Sequence, residues 1–419
     1  MPSYNRPSLL FGLALVAFVS LGLPDTILGV AWPSLRRTFG LPLDRLGVLL
    51  VATMVGYLAS SVASGAVVRR LRISGLLVAS SGLIVASSVG YALASAWPVV
   101  VACGLVAGLG AGAIDAGINA FAATHFSAGR VAWLHAAWGV GATLGPLLMT
   151  AVLAAGFEWR AGYALLAVII SALALGFQKT RGLWSEDGTG AAVAAPITSL
   201  RASLGQPSVR ANVALFFLYT GLESTPGQWG YTLLTEGRGL APSLAGIAVS
   251  VYWGSLTVGR LVSGAVMHRY PPAIVLRLCL AGLPLAALLV AVARDGPLGL
   301  LGLALLGLLG ASVFPLLIAG TPTRVGVAHA NNSVGFQVGA ATLGAAVVPS
   351  ITGVLARYLG VEAIAGVLVS VALGVLVLHE LVLRRERAAA ESRRPATRIR
   401  WPSARASSSV FTAPSSCFS

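Results

Sequence analysis

The run GLVAGLGAGAIDAGINAF, residues Gly104 to Phe121, places a carboxylate, Asp115, and an amide, Asn119, in a segment otherwise apolar enough for hydrocarbon. At about 100° per residue, both side chains share one helical stripe with three small residues, Gly104, Gly108 and Gly112. An ionisable group at membrane depth is costly and is by default a functional-site candidate. The alternative, that the two polar groups only join neighbouring helices by hydrogen bonds, stays open at this stage.

The composition indicates a membrane protein. The chain has 419 residues, of which 57% are hydrophobic and 10% charged, and its mean hydropathy is +0.86. These values exclude a water-soluble globule and favour an all-α polytopic membrane protein. The net charge of +15 comes mainly from arginines in short connections and in the tail. That distribution is typical of membrane orientation, so we expect no nucleic-acid partner.

The chain repeats itself at one offset. A shift of 199 residues superposes several short runs and carries Arg70 onto Arg269. The matching runs are Gly22-Leu23-x-x-Thr26 with Gly221-Leu222-x-x-Thr225, Ser64–Val67 with Ser263–Val266, Gly108-Leu109 with Gly307-Leu308, and Ala142–Gly145 with Ala341–Gly344. One register kept over half the chain indicates an internal duplication of the kind found in parallel-repeat transporters.

Apolar runs of spanning length predict twelve transmembrane helices, as two six-helix repeats. They cover about 9–31, 47–68, 73–94, 97–123, 131–154 and 159–177, then 211–234, 244–267, 272–293, 297–320, 331–356 and 361–383. We therefore expect a first bundle over 1–177, a polar cytoplasmic linker over 178–210, a second bundle over 211–383 and a disordered basic cytoplasmic tail over 384–419. Lys and Arg are more frequent on one side, which predicts that both termini are cytoplasmic.

Two predicted helices combine a proline with a carboxylate. Pro24 adjoins Asp25 in the first helix, and Glu223 precedes Pro226-Gly227 in the seventh, near the position that corresponds to Asp25 in the repeat. Because proline removes a backbone hydrogen bond, both helices are predicted to be loosened or interrupted where freed groups face protein or water. Arg260, in the eighth helix, needs either an anionic partner or a position near the cytoplasmic surface.

Several motifs resemble a known family. Two six-helix repeats with Gly65-x-x-x-x-Arg70 between helices 2 and 3 resemble the major facilitator superfamily. The runs GLGAGAIDAGINAF, WLHAAWGVGATLGP and FLYTGLE resemble its fucose-permease-like branch of proton-coupled sugar symporters. The resemblance implies that Asp25 and Asp115 are the protonatable pair, and that Asn119 and His135 line the sugar cavity.

The motifs also depart from the family. The aspartate expected four places after the loop glycine is replaced by Arg69 and, in the second repeat, by His268, so the family's gating details do not carry over. The run Gly141-x-x-x-Gly145-Pro146 partly matches drug–proton antiporters, but Leu148 and Met149 stand where that motif has two glycines.

The candidate site residues fall into three groups. Proton coupling is assigned to Asp25 and Asp115. Substrate binding is assigned to Asn119, His135, Trp138, Glu223, Gln228, Trp229, Phe336 and Gln337, with helix packing as the alternative role of each tryptophan. Gating is assigned to Arg70, Arg260 and Arg269. The three cysteines have no metal-ligand spacing, so no metal site is expected.

The expected function is secondary active transport by alternating access, with proton-coupled uptake of a small polar solute such as a monosaccharide. A proton-coupled exporter of drugs or metabolites is the alternative, and a transport-dead sensor is a third. The chain has one lysine, Lys179, outside any phosphate-binding loop, and it lacks catalytic motifs, so neither an ATP-driven pump nor an enzyme is expected. We expect no cofactor besides the proton gradient, and a monomer in the inner or plasma membrane.

Overall fold

Residues 6–184, 198–294 and 296–392 are described by the computed structural model, and within these ranges every regular element is helical. The first half contains α1 (Arg6–Thr38), α2 (Arg45–Leu93), α3 (Trp97–His125), α4 (Ala128–Ala154), α5 (Trp159–Lys179) and a 3₁₀ turn (Arg181–Leu183). The second half contains α6 (Leu200–Gly205), α7 (Pro207–Thr232), a π-helical turn (Leu233–Gly237), α8 (Pro242–Met267), α9 (Pro272–Val292), α10 (Gly296–Gly310), α11 (Val313–Ala319), α12 (Thr321–Val325), α13 (Val327–Leu359) and α14 (Ala363–Ser392).

These helices supply twelve spans. Ten segments of the described ranges are long and apolar enough to cross a membrane, with α10 and α11 forming one of them. The 49-residue α2 contains two spans, which meet at Arg72, where the backbone leaves the helical region (φ 60°, ψ 168°). The 26-residue α7 is the twelfth span, and it is more polar than the others because it carries Arg210, Glu223 and Gln228. The predicted fold class, six spans followed by six, is confirmed.

Proline does not interrupt the helices as expected. Both α1 and α7 are continuous, with Pro24 and Pro226 inside them, so the prediction of broken helices is wrong. A threonine hydroxyl near each proline bonds the carbonyl four residues before it: Thr26 donates to the Gly22 carbonyl at 3.0 Å, and Thr225 donates to the Gly221 carbonyl at 2.7 Å.

The structure also contains helical segments that the sequence did not predict. The short helices α6 and α12 and the π-helical turn were not expected, because none carries a periodic apolar pattern. α14 continues to Ser392, so the first part of the predicted tail is helical. The rest of that tail, 393–419, and residues 185–197 of the predicted linker lie outside the described residues.

The repeat is visible as one packing contact made twice. Gly108 of α3 lies against the Thr53 carbonyl and the Tyr57 amide of α2, so a Cβ at this glycine would stand 2.9 Å from the amide nitrogen. In the second half, Gly307 of α10 lies against the Tyr252 carbonyl and the Leu256 amide of α8. Each number in the second set exceeds its counterpart by 199. Small residues therefore set the helix separation at equivalent places in both bundles.

The two bundles meet at the end that carries the α1–α2, α7–α8 and α13–α14 connections. Arg36 pairs with Glu236 at 2.6 Å, and Arg357 pairs with Asp44 at 3.0 Å. Deeper along the interface, Gly29 of α1 lies against the backbone of α7, where a Cβ would stand 3.1 Å from the Gly227 carbonyl carbon. The Arg36–Glu236 pair and the Gly29 contact join α1 to α7 and the π-helical turn after it, which places Asp25 beside the second bundle.

Candidate substrate and proton site

Asp115 lies between two donors. The Tyr57 hydroxyl donates to its Oδ2 atom at 2.5 Å, and the Asn119 amide, one helical turn further along α3, donates to its Oδ1 atom at 2.9 Å. The close α2–α3 packing at Gly112 brings the backbone of Tyr57 against α3, which places the tyrosine ring beside the carboxylate. Both carboxylate oxygens are therefore bonded, as a charge removed from bulk water requires.

Asp25 lies at the interface between the bundles. Its side chain is exposed, and it accepts a hydrogen bond from Nε1 of Trp138 at 3.3 Å. The backbone carbonyl of the same residue faces Nε2 of Gln228, 3.4 Å away in the second bundle. Asp25 is close enough to Asp115 for their charges to interact. The structure thus brings the two candidate proton carriers into one region.

The indole of Trp138 contacts both bundles. The guanidinium carbon of Arg260, from α8, lies 5.4 Å from the ring centroid, and the ring of Trp253 meets it edge-on at 5.6 Å. A guanidinium above an indole face is attracted by the quadrupole of the ring. One residue of α4 therefore connects the Asp25 carboxylate to a cation of the opposite bundle.

Glu223 is the anionic partner of Arg260. The Nη2 atom of Arg260 lies 3.3 Å from Oε1 of Glu223, and the Tyr219 hydroxyl donates to the same carboxylate. The Tyr252 hydroxyl donates to the Glu223 backbone carbonyl at 2.5 Å. Of the two alternatives left open for Arg260, pairing with an anionic partner is observed.

Two more predicted site residues, His135 and Gln228, lie near these charged side chains. His135 is exposed, and its ring meets the ring of Phe18 edge-on at 5.5 Å. The charges of Asp115 and Arg260 both contribute to the electrostatic potential at its imidazole. Gln228 is buried, and its Oε1 atom has no hydrogen-bond partner among the described residues. The region thus offers carboxylates that can take up protons, unused polar groups and aromatic faces. Within the described ranges, no group of three or more His, Cys, Asp or Glu side chains is arranged to hold a metal ion.

A family comparison matches almost the whole chain. The family model described as Major Facilitator Superfamily matches residues 13–337 and 231–418. The chain belongs to the Major Facilitator Superfamily. As a member of this superfamily it is a multi-pass membrane transporter and not an enzyme.

Two curated relatives are similar to the chain. Bypass of stop codon protein 6 of Saccharomyces cerevisiae is 25% identical over 280 residues, which cover 61% of this chain and 56% of that protein. The chain therefore matches little more than half the length of this relative. Glucose/mannose transporter GlcP of Bacillus subtilis is 22% identical over 323 residues, which cover 75% of this chain and 79% of that protein.

Solved structures share the superfamily fold. A mutant form of the nucleoside transporter NupG superposes with a TM-score of 0.74 at 14% identity, over 89% of this chain and 98% of that one. A variant of the E. coli fucose:proton symporter FucP superposes with a TM-score of 0.59 at 14% identity, over 90% of this chain and 99% of that one. At these identities the likeness establishes the fold alone.

Five of the predicted site residues form no hydrogen bond, ion pair or ring contact with the side chains of this site within the described ranges. Trp229 is fully buried, and its Nε1 donates to the Pro349 carbonyl at 2.8 Å, so it joins α7 to α13 and has no free face for a ligand. Gln337 is also fully buried and accepts a hydrogen bond from Thr321 at 3.0 Å. The other three are Arg70 and Arg269, exposed in the α2 and α8–α9 turns, and Phe336, half-buried on α13.

Four aromatic residues of the site are not among those predicted from the sequence: Tyr57, Tyr219, Tyr252 and Trp253. Each lies in a predicted span, where a buried phenol hydroxyl or indole N–H needs a hydrogen-bond partner. That requirement was the available signal, because a tyrosine in mid-span is expected to face a polar neighbour. The Trp253 Nε1 atom is buried without a partner among the described residues.

Proposed function

We propose that this transporter moves protons together with a small polar solute, such as a monosaccharide, by alternating access. The observation that carries the proposal is the link from Asp25 through Trp138 to the Arg260–Glu223 pair. It joins a candidate proton carrier in one bundle to an ion pair in the other, so a change of charge on either side acts on the contact between the bundles.

Coupling follows from the cost of moving charge. A bare carboxylate is unfavourable in a low-dielectric barrier, so Asp25 and Asp115 would each favour reorientation of the carrier when protonated. Tyr57 and Asn119 would hold the Asp115 carboxylate in one geometry while it exchanges its proton. Solute binding between the bundles would then permit the loaded carrier to turn.

The side chains around Asp25 and Trp138 favour a polyhydroxylated, uncharged solute. Exposed His135, the amide of Gln228 and the acids supply hydrogen-bonding groups beside the Trp138 face, whereas a pocket for hydrophobic drugs is mostly apolar. The names of similar proteins agree with this class, since they include a glucose/mannose transporter and a fucose:proton symporter. Asn119 would orient Asp115 rather than bind the solute alone.

The test is transport by purified protein in proteoliposomes with an imposed pH gradient, screened against monosaccharides, polyols and cationic dyes. A labelled sugar should accumulate with protons, and Asp25→Asn and Asp115→Asn should each abolish gradient-driven accumulation while keeping some exchange. Glu158→Gln, at an exposed carboxylate paired with Arg160, is the matched control and should retain full coupling. Dye extrusion without sugar uptake would replace symport by export, and no transport of any probe would favour a sensor.

We further propose that both termini are cytoplasmic, that the protein resides in the inner or plasma membrane, and that it acts as a monomer without a cofactor. The end at which the Arg36–Glu236 and Arg357–Asp44 pairs join the bundles would then face outward, and the site would open inward. Fusions of an enzyme active only outside the cytoplasm test the orientation. Activity of a fusion at the C-terminus, or within the 178–210 linker, would contradict it.

A further inference from the structure

A cleft of about 500 Å³ lies outside the transport site, between the turn in α2 and the end of α5. It is lined by Arg70, Leu71, Arg72, Ser74, Arg181 and Gly182. Three of these six residues are arginines and none is acidic. The volume falls in the range of small-ligand sites in proteins, about 300 to 1,000 Å³.

Within the described ranges, no acidic side chain pairs with the arginines of this cleft. Arg70, Arg72 and Arg181 are exposed, and within the described ranges none of them forms a hydrogen bond or an ion pair through its side chain. The second repeat differs, because the residue 199 places after Arg181 is Glu380, which binds Arg277 through two contacts of 2.8 Å. The residue equivalent to Arg181 is therefore an acid with a cationic partner, and not an unpaired cation.

The backbone at this cleft is strained. Arg72 has φ 60° and ψ 168°, and it is the one non-glycine residue with positive φ in the described ranges. This region of backbone space is almost exclusive to glycine, and residues held in it cluster at ligand clamps and other functional sites. From the opposite wall, Arg181 reaches over α2, with Nη2 3.7 Å from the place where a Cβ would stand on Gly75. Two chain segments thus bring guanidinium groups to one opening.

We propose that this cleft binds the phosphate of an anionic phospholipid headgroup. Guanidinium groups match phosphate oxygens in charge and in bidentate geometry. The cleft lies where membrane spans end, and basic pockets at that level bind anionic headgroups. Leu71 lines the same cleft with 47% of its surface exposed, which offers an apolar contact for an acyl chain beside the phosphate site. That contact favours a lipid over free phosphate.

The experiment measures lipid retention by full-length protein in detergent, with phosphatidylglycerol or phosphatidylcholine added to the micelles. Native mass spectrometry should show preferential retention of phosphatidylglycerol, which should also raise the melting temperature. Each of Arg70→Ala, Arg72→Ala and Arg181→Ala should weaken retention about fivefold. Inorganic phosphate and glycerol phosphate are the second arm: if they compete fully at low concentration, the site takes free phosphate and the lipid assignment is wrong.

Two further variants separate binding from folding. Arg72→Gly removes the guanidinium and relieves the positive φ, so it should keep or raise thermal stability while lowering phosphatidylglycerol retention. Arg269→Ala changes the equivalent of Arg70 in the second repeat and should leave retention unchanged. Equal retention of both lipids by the wild type, or equal losses in Arg70→Ala and Arg269→Ala, would overturn the proposal.

Discussion

At the scale of single residues, the two acids of the site have different surroundings. Asp115 has a donor on each carboxylate oxygen, whereas Asp25 has one indole donor and an exposed side chain. A carboxylate with two donors is held in place, and one with a single long bond exchanges more freely with solvent or solute. We therefore expect Asp25 to be the acid that responds directly to the solute, with Asp115 held in a fixed geometry.

The first prediction concerns Tyr57→Phe, which removes the shorter of the two hydrogen bonds to Asp115. In a double-mutant cycle with Asp115→Asn, thermal unfolding in detergent should give a coupling energy of about 1 kcal/mol, because a hydrogen bond to a carboxylate is replaced by one to a neutral amide oxygen. Gradient-driven uptake should fall more than exchange does. Tyr270→Phe, at a tyrosine that is 58% exposed, is the control, and additive effects of Tyr57→Phe and Asp115→Asn would contradict the prediction.

The second prediction separates two tryptophans that the sequence treats alike. Trp229→Phe leaves the buried Pro349 carbonyl without its donor and should cost about 1 to 3 kcal/mol of stability with solute affinity unchanged. Trp138→Phe keeps an aromatic face for Arg260 but removes the donor to Asp25, so coupling should fall more than stability. Melting temperature and coupled uptake, measured on both variants, check this. A loss of solute affinity in Trp229→Phe alone would return that residue to the site.

These tryptophans show where sequence reasoning reached its limit. The acidic residues could be found because charge is rare in a membrane span, and their position in mid-helix predicted a shared interior. Whether Trp229 and Gln337 face the solute cavity or a neighbouring helix could not be predicted in that way, because α7 and α13 are packed on several sides. When apolar and small residues surround a helix, periodicity no longer distinguishes the solute cavity from the contact with a neighbouring helix.

At the scale of helices, glycine contacts determine how closely the spans pack. The spans and their duplication were predictable, since length, hydropathy and a fixed offset are properties of the sequence itself. A turn is expected between the predicted spans 47–68 and 73–94, but its reduction to one residue, Arg72, is not. A single residue in a strained backbone region has no signature in composition, and its cost, on the order of 1 to 3 kcal/mol, is offset by packing on both sides.

The third prediction compares two glycines that make the same helix contact in the two repeats with one glycine that faces open space. Gly108→Ala and Gly307→Ala should each lower stability by about 1 to 3 kcal/mol, because the new methyl group would meet a backbone carbonyl that cannot rotate away. Gly82→Ala, where the space is open, should be neutral or stabilising by up to about 1 kcal/mol. Thermal unfolding of the three variants checks this. Similar losses at all three positions would indicate a general helix effect instead of the repeated contact.

At the scale of the whole molecule, ion pairs close one end of the interface. Each bundle supplies one cation and one anion: Arg36 and Asp44 from the first, Arg357 and Glu236 from the second. Such partly exposed pairs contribute little individually, about 0 to 1 kcal/mol. A carrier must alternate between two states, so weak ion pairs at this end are an advantage, because strong ones would hold the protein in one state.

The fourth prediction is that Arg36→Glu shifts the protein towards the state open at this end, by about fivefold in population, since it replaces attraction by repulsion of roughly 1 kcal/mol. Glu236→Arg on the same background should restore the original balance. Spin labels at Phe157 and Tyr358, both exposed at this end, report the separation of the bundles on a cysteine-free background. An unchanged distance distribution in Arg36→Glu would exclude a closing role for the pair.

Between these ion pairs and the acids, Gly29 and Gly227 touch backbone to backbone, with no side chain inserted. Such a contact can act as a pivot, because at this point no interlocked side chains have to separate when the bundles tilt. A single methyl group at Gly29 would push the two backbones apart at this pivot. It would slow the transporter without touching any group that binds proton or solute.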